Sequence, residues 1–199
     1  MIVYAILQHA TLTGTLEYIA HYGLEVMIAV SRFWSQRVSF SQPKQKYVIL
    51  GVTGPDEYEN NVNNNWYTNY SCMRCLETTL SFLEIIARQY PDEYARICSI
   101  TNLNYTEESE RWQDIIERMY LPEDPERGIF VQNDGYMDKV LQSTDAIPAG
   151  ERPINNIGRG TVSCVRATSS RVMSCSACTS IISTSTGRPS AATSNSTNR

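Results

Sequence analysis

The run Gly51–Asn69, GVTGPDEYENNVNNNWYTN, brings together three carboxylates (Asp56, Glu57 and Glu59), six asparagines and several aromatic rings. Carboxyl groups give and take protons, amides and carboxylates satisfy hydroxyls, and aromatic faces pack on apolar C–H surfaces. Together they suit the recognition of a sugar. The same residues suit a plainer role, an Asn-rich turn between two elements, because Asn and Asp favour turns. The preceding apolar run, Tyr47-Val48-Ile49-Leu50, fits a buried strand or extended segment. A buried element therefore delivers the polar run to a surface or cleft. Gly51-Val52-Thr53-Gly54-Pro55-Asp56 is loop chemistry, with two glycines and a proline.

The elements that must hold this run read as helices. Leu16–Tyr22 leads through Gly23 into Leu24–Arg37, where Val26, Met27, Val30, Phe33 and Trp34 share a face. The polar stretch Ser39–Lys46, with Pro43, ends that helix. A second helix runs from about Trp66 to Gln89, with Leu76, Leu80, Leu83 and Ala87 on one stripe. A third covers Glu107–Met119, with Thr106 as N-cap and Trp112, Ile115, Ile116 and Met119 on its apolar face. Leu121–Arg127 reads as loop, and Gly128–Val131 as a short extended piece before Asn133-Asp134-Gly135. Long helices joined by elaborate loops predict an all-α fold. No repeat at solenoid periods is present.

The bulk properties bound the function. The 199 residues suffice for one domain with a sizeable core, and 42% hydrophobic with 19% charged residues is ordinary for a globular protein. A net charge of −4 gives no footprint for nucleic acid or an anionic membrane. No stretch is apolar for long enough to cross a bilayer. The start, Met1-Ile2-Val3-Tyr4, lacks the basic region and cleavage site of a signal peptide, so the expected compartment is the cytoplasm. Cys72-x-x-Cys75 and Cys175-x-x-Cys178 have spacing that can hold zinc. The first pair falls inside a helical pattern rather than on tight turns, and the two pairs lie far apart, so no metal site is expected. His9 and His21 fit structural or surface roles.

The polar run resembles the signature of the family 65 glycoside phosphorylases, and ENNVNNNWYTN in particular its maltose phosphorylase branch. Three further blocks resemble the family in its own order: GLEVMIAVSRFWSQRV (23–38), GIFVQNDGYMDK (128–139) and IPAGERPIN (147–155). The resemblance implies part of an (α/α)6 barrel over residues 1–155. It implies that the glutamate of the Gly-Pro-x-Glu-Tyr motif, here Glu57, is the general acid. Glu57 would protonate the glycosidic oxygen while inorganic phosphate attacks the anomeric carbon from the opposite face. An inverting hydrolase needs a second carboxylate to activate water; phosphate is already a nucleophilic anion, so one protein carboxyl suffices. For that role Glu57 needs a raised pKa, from partial burial or from negative neighbours such as Asp56, Glu59 or bound phosphate. Asn64, Asn65, Trp66, Asp134 and Tyr136 are candidate sugar contacts, with helix-cap, turn and core roles as the alternative for each. The implied reaction is phosphorolysis of maltose to β-glucose 1-phosphate and glucose, with phosphate as co-substrate, no organic cofactor or metal, and a homodimeric parent enzyme. Trehalose- or kojibiose-type phosphorylases and hydrolases of the same family share the fold and the acid. A non-catalytic helical carbohydrate-binding or interaction module is the alternative of another class, and it leaves the four ordered blocks unexplained.

The resemblance stops at Asn155. From Asn156 onward Ser and Thr dominate, acidic residues vanish and no apolar period persists. Codons chosen for Asn156–Val165 and read one base out of register give His-Trp-Ser-Trp-Asp-Arg-Ile-Leu-Arg, which resembles the family segment expected there. The same offset permits family-like residues at Ser169–Arg171 and Gly187–Arg199. Residues 156–199 therefore read as out-of-frame translation, expected to be disordered for want of apolar surface to offset the entropy of ordering. The implied parent enzyme is longer than this chain, and the chain alone is expected to be inactive.

Overall fold

The computed structural model describes residues 2–57, 59–142 and 166–168. It divides into two compact units, Met1–Lys139 and Val140–Arg199. The first unit is built on helices α1 (Ile2–Thr13), α2 (Leu24–Arg37), α3 (Trp66–Gln89), α4 (Pro91–Thr101) and α5 (Tyr105–Arg118). Short antiparallel pairs join them: β1 (Ser39–Ser41) with β2 (Lys46–Val48), and β3 (Glu123–Asp124) with β4 (Ile129–Phe130). This mostly helical architecture agrees with the all-α expectation. In the second unit β5 (Val140–Gln142) and β6 (Arg166–Thr168) pair in parallel. That pairing gives three residues of the tail a strand where disorder was expected. The rest of that expectation, and the IPAGERPIN block, lie outside the described residues.

The central helix is α3. Cys72, Cys75, Leu76, Thr79, Phe82, Leu83 and Ile86 are buried along it. The buried stripe is therefore rotated from the one read in the sequence: Leu80 and Ala87 are only partly covered. Polar residues share the stripe, because Ser31 of α2 donates to Thr79 Oγ1 at 2.8 Å and Thr79 bonds back to the Cys75 carbonyl. A buried Ser–Thr pair satisfied in this way packs like an apolar contact. Cys72 and Cys75 are thus core residues, and burial pushes both thiols up from their ordinary pKa. Among the described residues no cluster of His, Cys, Asp or Glu could hold a metal ion, and no helix is long and apolar enough to cross a membrane.

Two helices were not read from the sequence, although both carry end signals. For α4 these are Pro91 at the first turn, Asp92 and Glu93 just inside it, and Asn102 in the left-handed conformation at its end. Gly14, with φ +69°, follows α1 directly. On α2 the buried residues are Leu24, Met27, Ile28 and Ser31, whereas Val26 and Phe33 are exposed. A π-helical turn, Ile19–Gly23, precedes α2; of the face read in the sequence, Met27 is buried and Val30 and Trp34 are partly covered. The N-cap of α5 is Asn104, not Thr106: its side chain accepts from the Glu107 amide. Its apolar face is otherwise as read, with Trp112, Ile115 and Met119 buried. The polar stretch 39–46 ends α2 as expected but forms the β1–β2 hairpin, which buries Tyr47, Val48 and Ile49.

Candidate functional site

Ile49, fully buried, is the anchor from which the polar run departs. Its carbonyl accepts from the Asn64 amide at 2.7 Å, and its own amide donates to Asn64 Oδ1 at 3.2 Å. One asparagine thus satisfies both backbone groups of Ile49, as a neighbouring strand would. Asn64 holds φ +53°, a left-handed conformation that Asn tolerates better than most residues. Val52 and Val62 then exchange two backbone hydrogen bonds of 2.9 Å and close the loop Thr53–Asn61 at its base. The Gly51 amide donates to Asn63 Oδ1 at 3.0 Å, which locks the same base from its other side.

The loop leads directly into α3. Asn65 caps that helix: its Oδ1 accepts from the Thr68 amide and the Thr68 hydroxyl, each at 3.1 Å. The downstream segment completes the frame. The Gln132 carbonyl accepts from the Trp66 amide at 2.9 Å and from Asn65 Nδ2 at 3.3 Å. The Asp134 amide donates to the Asn63 carbonyl at 3.0 Å, and Asp134 Oδ2 accepts from Asn64 Nδ2 at 2.7 Å. Asn69, fully buried, donates through Nδ2 to the Tyr120 carbonyl at 2.7 Å. Trp66 is buried, its ring stacked on Tyr70 with centroids 4.8 Å apart and tilted against the exposed ring of Phe130 at 4.6 Å.

The three carboxylates take different positions on this frame. Asp56 accepts a long hydrogen bond from Gln132 Nε2, 3.4 Å. Glu59 is buried and forms an ion pair with Lys139. Glu57 lies between them on the same turn and is exposed. The partial burial expected for Glu57 is therefore not supplied by this segment; burial falls on Glu59 instead. The Glu59 amide donates to the Asp56 carbonyl at 3.0 Å and closes the turn that carries Glu57.

The chain matches the family model described as "Glycosyl hydrolase family 65 central catalytic domain" over residues 1–160. It belongs to that family. Among curated relatives it is 48% identical over 153 residues to maltose phosphorylase of Bacillus subtilis (strain 168), covering 77% of this chain and 19% of the relative. It is 31% identical over 153 residues to kojibiose phosphorylase of Thermoanaerobacter brockii, covering 77% of this chain and 20% of the relative. A solved structure from the human microbiome, assigned as a kojibiose phosphorylase, superposes with a TM-score of 0.70 at 25% identity, covering 82% of this chain and 22% of that one. The family 65 chain thus spans about a fifth of the length of the relatives it matches.

Within the family 65 segment, the residues expected to touch sugar are brought together, but mostly as framework. Asn64 and Asn65 are each 1% exposed, and their amides are committed to Ile49, Thr68, Asp134 and Gln132. Trp66 presents its ring to Tyr70 and Phe130 rather than outward. Asp134 is tied to Asn64, and Tyr136 starts a 3-10 turn, Tyr136–Asp138, with its ring 5.0 Å from Lys139 Nζ. His9 packs on Tyr18, and His21 faces Glu93 at 3.3 Å. Sequence reasoning passed over Gln132 and Lys139. Both stand in the block 128–139, and an amide and a cation there, facing a run of three carboxylates, were the available signal.

Proposed function

We propose that this segment is part of the catalytic domain of an inverting disaccharide phosphorylase, with Glu57 as its general acid. The observation that carries the reading is the setting of Glu57. It is the one carboxylate of the turn left exposed, on a loop closed at its base and tied on both flanks. An exposed carboxyl on a turn fixed at both ends is positioned to meet a glycosidic oxygen. In the reaction Glu57 gives its proton to the oxygen leaving the anomeric carbon. Phosphate attacks that carbon from the opposite face, and the α-glucoside becomes β-glucose 1-phosphate.

Maltose is the preferred substrate, since identity to the maltose phosphorylase, 48%, exceeds the 31% and 33% to kojibiose and trehalose phosphorylases of Thermoanaerobacter brockii. Residues 156–199 are best read as out-of-frame translation, a reading supported by a family match that ends at residue 160. Resequencing the DNA across codon 156 tests it, and a shifted frame that encodes no family-like segment there would remove it. For the activity, residues 1–155 replace the matching segment of the Bacillus subtilis maltose phosphorylase. The hybrid is then offered maltose, kojibiose and trehalose with and without phosphate. Phosphate-dependent glucose 1-phosphate from maltose is expected. Glucose release without phosphate would instead support a hydrolase.

A further inference from the structure

We infer that Glu59 and Lys139 form a positioning pair that holds the loop bearing Glu57, an inference that rests on the reading of Glu57 as the acid. Their side chains are 7% and 11% exposed, so both charges are largely withdrawn from water. The pair joins two segments far apart in sequence: the loop Thr53–Asn61 and the 3-10 turn ending the block 128–139. The Tyr136 ring lies 5.0 Å from Lys139 Nζ and covers it on one side. Two residues of suitable apolar shape would fill the same space, often with equal or greater stability. What an ion pair adds is a defined register between the segments, because either charge without its partner must find water.

That register passes directly to Glu57. The Glu59 amide donates to the Asp56 carbonyl, so Glu57 sits inside a turn whose far end is Glu59. At the near end Asp56 is held by Gln132, from the same downstream segment that supplies Lys139. Asp134, between those two anchors, bonds the Asn63 carbonyl and the Asn64 amide. One short stretch, Gln132–Lys139, therefore grips the loop before, behind and below its exposed carboxyl. Of these grips only Glu59–Lys139 is an ion pair, and it is the one whose loss leaves a buried charge.

The test uses the full 199-residue chain and amide hydrogen exchange. In Lys139→Met the amides of Glu59, Val62 and Asp134 should exchange about tenfold faster or more, because the loop opens to hydrate Glu59. The amides of Ile86 and Ile115, in the helical core, should keep their rates. Lys139→Arg restores the cation and should restore protection; a purely steric role would not be rescued by this differently shaped side chain. Glu59→Gln, which leaves the Lys139 ammonium a neutral acceptor in place of none, should open the loop less than Lys139→Met. Unchanged loop exchange in Lys139→Met would overturn the inference, and so would core amides that accelerate together with the loop. Full activity of Glu57→Gln in the hybrid enzyme would remove the acid reading while leaving the exchange result standing, so the two failures are distinguishable.

Discussion

At Gly54 a Cβ would stand 2.3 Å from Asn65 Nδ2, closer than any side-chain carbon is found, and that amide is the cap of α3. The glycine of the Gly-Pro-Asp-Glu sequence is thus required by packing against the helix cap, not by its backbone angles. Gly54→Ala should destabilise the chain by about 1–3 kcal/mol through the displaced cap, measured by urea unfolding. In an Asn65→Ala background the same substitution should cost much less, since the contact is already gone. Equal cost in both backgrounds would contradict the contact. At this scale the sequence marked the polar run and its exposed carboxylate, Glu57, but not which of its residues are framework. Asn64 and Asn65 have the chemistry of sugar ligands, and only the positions of Ile49, Thr68 and Gln132 show that their bonds are already made.

Helix α5 is joined to the β1–β2 hairpin by a polar cluster. Tyr47 donates to Asp114 Oδ2 at 2.6 Å and accepts from Arg111 at 2.7 Å, while Arg118 pairs with Asp114. The Arg118 hydrogen bond, followed by that from Tyr47, holds the Asp114 carboxyl below its ordinary value of 3.8. A carboxyl depressed in the folded state contributes stability that is present above the unfolded pKa and lost as pH falls through the folded one. Urea midpoints should therefore fall as pH drops below about 4, and Asp114→Asn should flatten that limb while leaving its slope near neutrality unchanged. An identical acid limb in the variant would show that the pair contributes nothing. Elements were legible where a single apolar period ran uninterrupted, as in α5. On α2 the apolar period was legible but its burial was not: of Val26, Met27, Val30, Phe33 and Trp34 only Met27 is buried. Short α4 buries only Ile97 fully, so its periodicity was faint even though its Pro91 and Asn102 end signals were present.

At the scale of the molecule, the face of α2 that periodicity marks as core lines an open apolar groove. Val26, Val30, Phe33 and Trp34 meet Ile2 and Ile100 there, with Phe33 57% and Ile100 55% exposed. An exposed apolar surface of this kind promotes association. Sedimentation of the isolated chain should show self-association, reduced in Phe33→Ser; a monomer at all concentrations would contradict this. The sequence pattern was a sound guide to apolarity here and a poor guide to burial, since a segment spanning a fifth of its relatives buries only the faces its own helices cover. The isolated chain should also release no glucose 1-phosphate from maltose and phosphate, and turnover by it would show that these residues suffice.

The most direct measurement of the central claim compares Glu57→Gln with the unaltered hybrid enzyme on two substrates. Maltose requires its leaving oxygen to be protonated, whereas fluoride leaves α-glucosyl fluoride without a proton donor. If Glu57 is the general acid, kcat/KM on maltose falls by roughly 10²–10⁴, and phosphorolysis of the fluoride is largely retained. Equal losses on both substrates, or no loss on maltose, would contradict the assignment.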